Sequence, residues 1–235
     1  MNKKFYELKK TGDALTELFI YGEITSLKWF ENDVCSFDFA KELSEVDTPI
    51  IVHINSYGGE VSEGLAIYNL LKNFKNDVTT ICDGFACSAA SVIFMAGDKR
   101  IVNLGSLIMI HNAWSSVTGD SNTFKKKAEE LEIVTKPSLD IYESVSNLSR
   151  ETIKSMMDEE KWITPDEALE WGFATEIIKD ESKQSIDEMY LNHQVILNKQ
   201  LEKKYNNLNK AYRELETELK KQELSGWDAF FSSNK

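Results

Sequence analysis

From Glu17 to about Ile178, short β-rich runs alternate with helical patterns. That alternation predicts βαβ units around a mainly parallel sheet. The first strand is expected over Glu17–Tyr21, ending at Gly22, and a second over Ile50–Ile54, stopping at the turn-like Asn55-Ser56-Tyr57-Gly58-Gly59. Val61, Leu65, Tyr68 and Leu71 then follow at spacings of four, three and three, as the apolar face of a helix requires. Val78–Cys82 reads as a third strand leading to Asp83-Gly84, and Ala86–Ala96 as a small-residue helix buried on most sides. Ile101-Val102 and Leu107–Ile110 are further strands, the latter ending at His111.

From Ser121 to about Leu148 the pattern turns helical, with Phe124, Leu131, Val134, Leu139, Ile141 and Val145 as its apolar positions. Pro137 lies inside this run. Proline removes a backbone donor and clashes with the preceding turn, so a kink or break is expected near Lys136. Thr164-Pro165-Asp166-Glu167 carries the marks of a helix start: a capping threonine, a proline in the first turn and a glutamate that completes a capping box. Gly172 should end that helix.

Past Ile178 the composition changes. Residues 179–195 are polar and charged, which suggests a linker or exposed hairpin. Leu201, Tyr205, Leu208, Tyr212, Leu215 and Leu219 alternate spacings of four and three, a heptad seam that makes 196–222 a short coiled-coil helix, self-paired or docked on a partner; a solvated single helix is the plainer alternative. Residues 223–235 hold Trp227, Phe230 and Phe231, either a docking tail or a segment packed back on the body. The expected organisation is thus a main domain over 1–178 followed by a helical C-terminal extension.

Composition narrows the function. With 235 residues and 42% apolar content the chain can bury a sizeable core. Lys+Arg 27 against Asp+Glu 39 leaves a net charge of −12, which repels nucleic-acid phosphates and anionic lipid. Cys35, Cys82 and Cys87 are odd in number and lack CxxC spacing, against a disulfide framework or a structural zinc site. The N-terminal residues run into more charge, with no apolar run long enough for a signal peptide or a membrane span. A cytoplasmic protein, bound to neither nucleic acid nor membrane, is expected.

Two elements put backbone N–H groups and a hydroxyl where acyl transfer needs them. Gly58-Gly59 sits at a strand-to-helix junction, where paired glycines can turn their amides toward a carbonyl oxygen; the same pair also makes an ordinary turn. In Gly84-Phe85-Ala86-Cys87-Ser88-Ala89-Ala90-Ser91 a serine opens a small-residue helix behind a strand, where the helix dipole favours developing negative charge; tight packing through Ala and Ser is the alternative. Serine needs a base, and histidine is the usual one near neutral pH. His53 falls inside the second strand and His193 in the charged region, whereas His111 ends a strand, where ligands gather in parallel-sheet folds. Asp158, Glu159 and Glu160 are the acids that could orient it, or they form a solvated face.

Taken in order, five blocks over roughly Leu18 to Ile178 resemble the Clp protease (ClpP) family of serine peptidases, especially its bacteriophage head-maturation branch. They are Ile54-Asn55-Ser56-Tyr57-Gly58-Gly59, Gly64-Leu65-Ala66-Ile67-Tyr68, Gly84-Phe85-Ala86-Cys87-Ser88-Ala89-Ala90, Met109-Ile110-His111-Asn112 and Glu160-Lys161-Trp162-Ile163-Thr164-Pro165-Asp166-Glu167-Ala168. The resemblance implies a crotonase-like α/β fold of repeated ββα units with a handle helix that assembles rings. It implies Ser88 as nucleophile, His111 as general base, Glu160 as third triad member with Asp158 as fallback, and the amides of Gly59 and Ala89 as the oxyanion hole. It calls for no metal and no organic cofactor. Tyr57 stands where the family usually has proline, and Glu160 where its housekeeping members usually have aspartate.

The leading expectation is an ATP-independent prohead protease acting on phage scaffold, capsid or portal proteins, in the host cytoplasm or inside the procapsid. The alternatives are a cellular Clp-like peptidase subunit working with an AAA+ unfoldase, and an inactive assembly protein or crotonase-fold acyl-CoA enzyme.

Overall fold

The computed structural model describes residues 9–10, 15–28 and 33–178. The expected linker (179–195), coiled coil (196–222), aromatic tail (223–235) and His193 lie outside the described residues.

The strands are β1 (Lys9–Lys10), β2 (Thr16–Ile20), β3 (Ile50–Ser56), β4 (Val78–Cys87), β5 (Lys99–Asn103), β6 (Leu107–Met109), β7 (Trp162–Ile163) and β8 (Glu176–Ile178). The helices are α1 (Ser36–Leu43), α2 (Val61–Lys72), α3 (Ala89–Phe94), α4 (Ser121–Val145), α5 (Arg150–Asp158) and α6 (Pro165–Glu170). The sheet runs β1-β2-β3-β4-β5-β8, with β6 joined to β4 and β7 joined to β6. Pairing is parallel except for β1–β2 and β6–β7.

Burial along β2 and the first half of β3 and β4 alternates residue by residue, so Leu18, Ile20, Val52, Ile54 and Cys82 enter the core while Phe19, His53 and Ile81 lie on the opposite, half-covered face. The core lies between the inner face and the helices, with Ile67 and Leu71 of α2, α3 throughout, and Ile153 and Met157 of α5.

β4 explains how the sheet reaches the site. Its first half pairs with β5 at Thr79–Cys82, and its end pairs instead with β6, Phe85 opposite Leu107 and Cys87 opposite Met109. Between them the register against β3 slips: Ile54 faces Cys82, yet Ser56 faces Ala86. The buried Asn55 fills this bulge, its Oδ1 accepting the Phe85 amide at 3.1 Å. A Cβ on Gly84 would meet that same Oδ1 at 2.7 Å, so a larger residue there would displace the Asn55 side chain from the Phe85 amide.

Several sequence expectations change in the structure. Ala86 and Cys87 extend β4 instead of opening a helix, because ladder pairing with β6 outweighs the helix preference of small residues. The inner face of α2 is Gly64, Ile67 and Leu71, with Leu65 and Tyr68 only half-buried; Gly64 lets α2 close on α3, where a Cβ would meet the Ala89 Cβ at 2.8 Å. The helix through Pro137 does not break. α4 continues for 25 residues to Val145. Only its C-terminal part is packed, through Ser138, Leu139 and Tyr142, whereas Phe124, Ile133 and Val134 are exposed among the described residues. α6 begins as expected, with the Thr164 and Glu167 capping box present in full and Gly172 at positive φ just past its end.

At the β4–α3 junction Ser88 adopts φ 54° and ψ −127°, a conformation that glycine accepts freely and other residues rarely. Its amide donates to the Met109 carbonyl at 2.9 Å, which ties the turn to β6. Ser88→Gly and Ser88→Ala both lose the hydroxyl, so their difference isolates the backbone. Denaturant unfolding should find Ser88→Gly more stable than Ser88→Ala by about 1 kcal/mol, strain relief outweighing the added freedom of the unfolded chain. Equal stabilities would mean that the turn is not strained.

Candidate active site

Ser88 leaves the end of β4 and His111 follows β6 by two residues, so the pairing of these two strands sets their separation. The His111 Nε2 and Ser88 Oγ atoms are 2.7 Å apart, a hydrogen bond in which the hydroxyl can donate to the neutral imidazole. Both residues are half-buried, open enough to meet a ligand and covered enough to limit water.

Ser88 is held from behind by a short relay. The buried Tyr142 hydroxyl lies 2.7 Å from Ser91 Oγ, which donates to the Ser88 carbonyl at 2.6 Å. With Ser91 donating forward, Tyr142 is the donor in the first step, and burial pushes its phenol up, keeping it protonated. Cys87, next to the serine, is likewise protonated: burial pushes its thiol up to about 12.

The glycine pair backs directly onto this turn. A Cβ on Gly58 would meet the Cys87 carbonyl oxygen at 2.6 Å, the Ser88 Cβ at 2.7 Å and the Ala89 nitrogen at 2.9 Å, and its φ of 96° also favours glycine. The segment is pinned by Ile24, whose amide donates to the Gly58 carbonyl and whose carbonyl accepts the Glu60 amide. Among the described residues no protein acceptor takes the amide of Gly59 or Ala89. Both amides are thus backbone donors without a protein acceptor, that of Ala89 next to Ser88 in the chain and that of Gly59 next to the Gly58 that packs on the serine turn.

The acids are distributed otherwise. Asp158 accepts from Asn112 Nδ2 and Lys154 Nζ, both at 2.8 Å, and these contacts hold its carboxyl below the usual carboxylate range. It thereby anchors the residue after His111 instead of the imidazole. Glu159 accepts from Ser155. Glu160 is exposed, with φ 52°, and among the described residues neither it nor Asp158 is hydrogen-bonded to His111. Ser88 and Glu160 are the two non-glycine residues with positive φ among those described. His53 belongs elsewhere: its Nδ1 is 2.8 Å from Asp83 Oδ2, and its ring stacks on Phe19.

Sequence reasoning missed three supporting groups, Ser91, Tyr142 and the Asn112–Asp158 pair. A tyrosine on the apolar side of a helix gave no sign of its target, since the contact spans 51 residues. An aromatic row, Tyr57, Phe85 and Trp162, was equally unmarked in the sequence; its ring centroids lie 5.2 Å and 5.9 Å apart in space.

The chain was compared with known proteins. It is 37% identical over 131 residues to the ATP-dependent Clp protease proteolytic subunit of Deinococcus radiodurans, a match covering 55% of this chain and 64% of that one, just under two thirds of the relative's length. It is 30% identical over 163 residues to the ATP-dependent Clp protease proteolytic subunit of Borrelia garinii subsp. bavariensis, covering 68% of this chain and 83% of the relative. Among solved structures it is similar to a point mutant of ClpP1 from Listeria monocytogenes, with a TM-score of 0.60 at 27% identity over 70% of this chain and 92% of that one. The fold is accordingly ClpP-like. The Clp protease family profile matches residues 7–181, most of the chain, and the chain belongs to the Clp protease family.

Proposed function

We propose that this chain is a serine-type endopeptidase, the proteolytic subunit of a Clp-type protease. The observation that carries the reading is the 2.7 Å contact between Ser88 Oγ and His111 Nε2 on a turn packed against Gly58 of the glycine pair. In the proposed mechanism His111 takes the Ser88 proton as Oγ attacks a peptide carbonyl, and the two amides bind the resulting oxyanion. The intermediate collapses as His111 protonates the departing amine, leaving an acyl-enzyme. Water, deprotonated by His111, then releases the acid product and restores the serine.

Glu160 is the proposed third member. Its carboxylate carries no hydrogen bond among the described residues, whereas that of Asp158 is already engaged by Asn112 and Lys154.

The relatives' names favour work with an ATP-driven partner over the expected role in phage head assembly, which no comparison supports. We propose a cytoplasmic ring of subunits fed by an AAA+ unfoldase.

A fluorophosphonate probe should label the full chain at Ser88. Labelling should vanish in Ser88→Ala and fall by a factor of about 10³ or more in His111→Ala, read by intact-mass spectrometry. An unlabelled wild-type chain in its assembled state would overturn the peptidase reading. ATP-stimulated degradation of a folded substrate with a co-purifying unfoldase would support the partner, and equal degradation without ATP would remove it.

The acids can be separated by kinetics. Glu160→Gln should lower kcat/KM for a peptide by about 10²–10⁴, and Asp158→Asn by less than about tenfold. The reverse order would transfer the third role to Asp158.

A further inference from the structure

Tyr142, from the packed C-terminal part of α4, reaches α3 behind the nucleophile turn. Its hydroxyl lies 2.7 Å from Ser91 Oγ, and Ser91 Oγ donates to the Ser88 carbonyl at 2.6 Å. A serine hydroxyl carries one proton, so with that proton on Ser88 the Ser91 oxygen must accept from Tyr142. Phe173 meets the Tyr142 ring edge to face at 6.1 Å and holds it in place.

The Ser88 carbonyl does not need this bond for its own satisfaction. It already accepts the Ser91 amide at 2.9 Å and the Val92 amide at 3.3 Å, bonds that the start of α3 supplies whatever side chain stands at position 91. Alanine at 91 and phenylalanine at 142 would fill nearly the same space, and exchanging both partners of a buried hydrogen bond for apolar groups is close to neutral for stability. Yet two hydroxyls 51 residues apart in the chain are buried together here, Ser91 0% and Tyr142 1% exposed.

The carbonyl that receives the relay belongs to the same peptide group as the Ala89 amide. That group is planar and trans, so its N–H points away from its C=O, and a constraint on the oxygen also aims the amide. Donors on the oxygen draw electron density toward it, and peptide resonance passes the polarisation to the nitrogen, which makes the N–H a stronger donor. A Cβ at position 58 would press on that nitrogen at 2.9 Å, and glycine has none.

Resting on the peptidase reading above, we infer that Tyr142 and Ser91 are positioning residues for the reaction: their buried hydroxyl relay aims and polarises the Ser88–Ala89 peptide, whose N–H binds the oxyanion. Neither touches the substrate. The relay acts where negative charge develops, so it lowers the barrier to acylation and leaves substrate binding almost unchanged.

The test measures cleavage of a fluorogenic peptide by the full chain, inhibition by a peptide boronate that mimics the tetrahedral adduct, and the denaturant midpoint of each variant. Ser91→Ala should lower kcat by roughly tenfold with KM within about twofold, and should weaken boronate inhibition by a similar factor. Tyr142→Phe leaves the Ser91 hydroxyl on the carbonyl and should lower kcat by only about twofold to threefold. Ser91→Ala also orphans the buried Tyr142 hydroxyl and should reduce the midpoint; adding Tyr142→Phe removes the orphan and should restore most of the midpoint while kcat stays at the Ser91→Ala level. A kcat that recovers together with stability in the double variant would make the relay structural only and overturn the inference. Cleavage undiminished in all three variants would overturn it as well and spare the peptidase reading. If Ser91→Ala alone does not fold, the double variant carries the same expectation. Absence of Ser88-dependent cleavage by the wild type would overturn both readings.

Discussion

The structure depends on the pairing of the end of β4 with β6. Without the register that sets Cys87 opposite Met109, Ser88 and His111 would be unrelated points 23 residues apart; with it, they lie 2.7 Å apart. The same ladder supplies the Met109 carbonyl that holds the Ser88 amide, so the strand that delivers the histidine also fixes the turn that presents the serine. A positive φ on a non-glycine residue persists only where its surroundings over-determine it. Here those surroundings are the Met109 carbonyl, the Ser91 hydroxyl on the Ser88 carbonyl and Gly58 packed against Cβ.

The bulge at Asn55 makes that pairing compatible with the rest of the sheet. A regular parallel ladder from β3 through β4 to β5 would carry the strand straight on. Two extra residues on β4 are absorbed while Asn55 bonds the displaced Phe85 amide, and β4 leaves β5 for β6. Asp83, at the same bulge, accepts from the Tyr21 hydroxyl at 2.6 Å and from Asn103 at 3.2 Å, and pairs with His53. The second histidine of the domain thus braces the bend, while His111 faces the serine.

Much of this was legible in the chain itself. The βα alternation, the Thr164 cap and the short strand two residues before His111 rest on local periodicity and capping chemistry, which need no tertiary partner. Ala86 and Cys87 show the limit: their composition reads as helix, but strand residues 22 positions later claim their backbone. The face of α2 was misplaced by about one residue because hydrophobicity does not reveal that a glycine can be the point of closest helix approach. α1 and α5 gave no separate signal, being short and at most half apolar. At the site, the serine and histidine stand out as chemical types, whereas the hydroxyl relay from Tyr142 and the Asn112–Asp158 brace consist of ordinary residues whose meaning comes only from position.

The acidic cluster shows how position divides similar groups into different roles. Asp158 sits at the end of α5, where Lys154 one turn earlier and Asn112 from the histidine loop both reach it. A carboxylate so engaged keeps its charge and serves as an anchor. Two residues on, the chain must reverse into β7, and Glu160 makes that reversal at positive φ, its amide bonded back to Met157. Asparagine or glycine would take this conformation at lower cost, yet a glutamate stands there with its side chain in solvent. Strain retained at an acidic residue two positions before the strand that pairs with β6 is the kind of outlier from which function is inferred. That strain supports the proposal of Glu160 as third member, while Asp158 anchors the residue after His111.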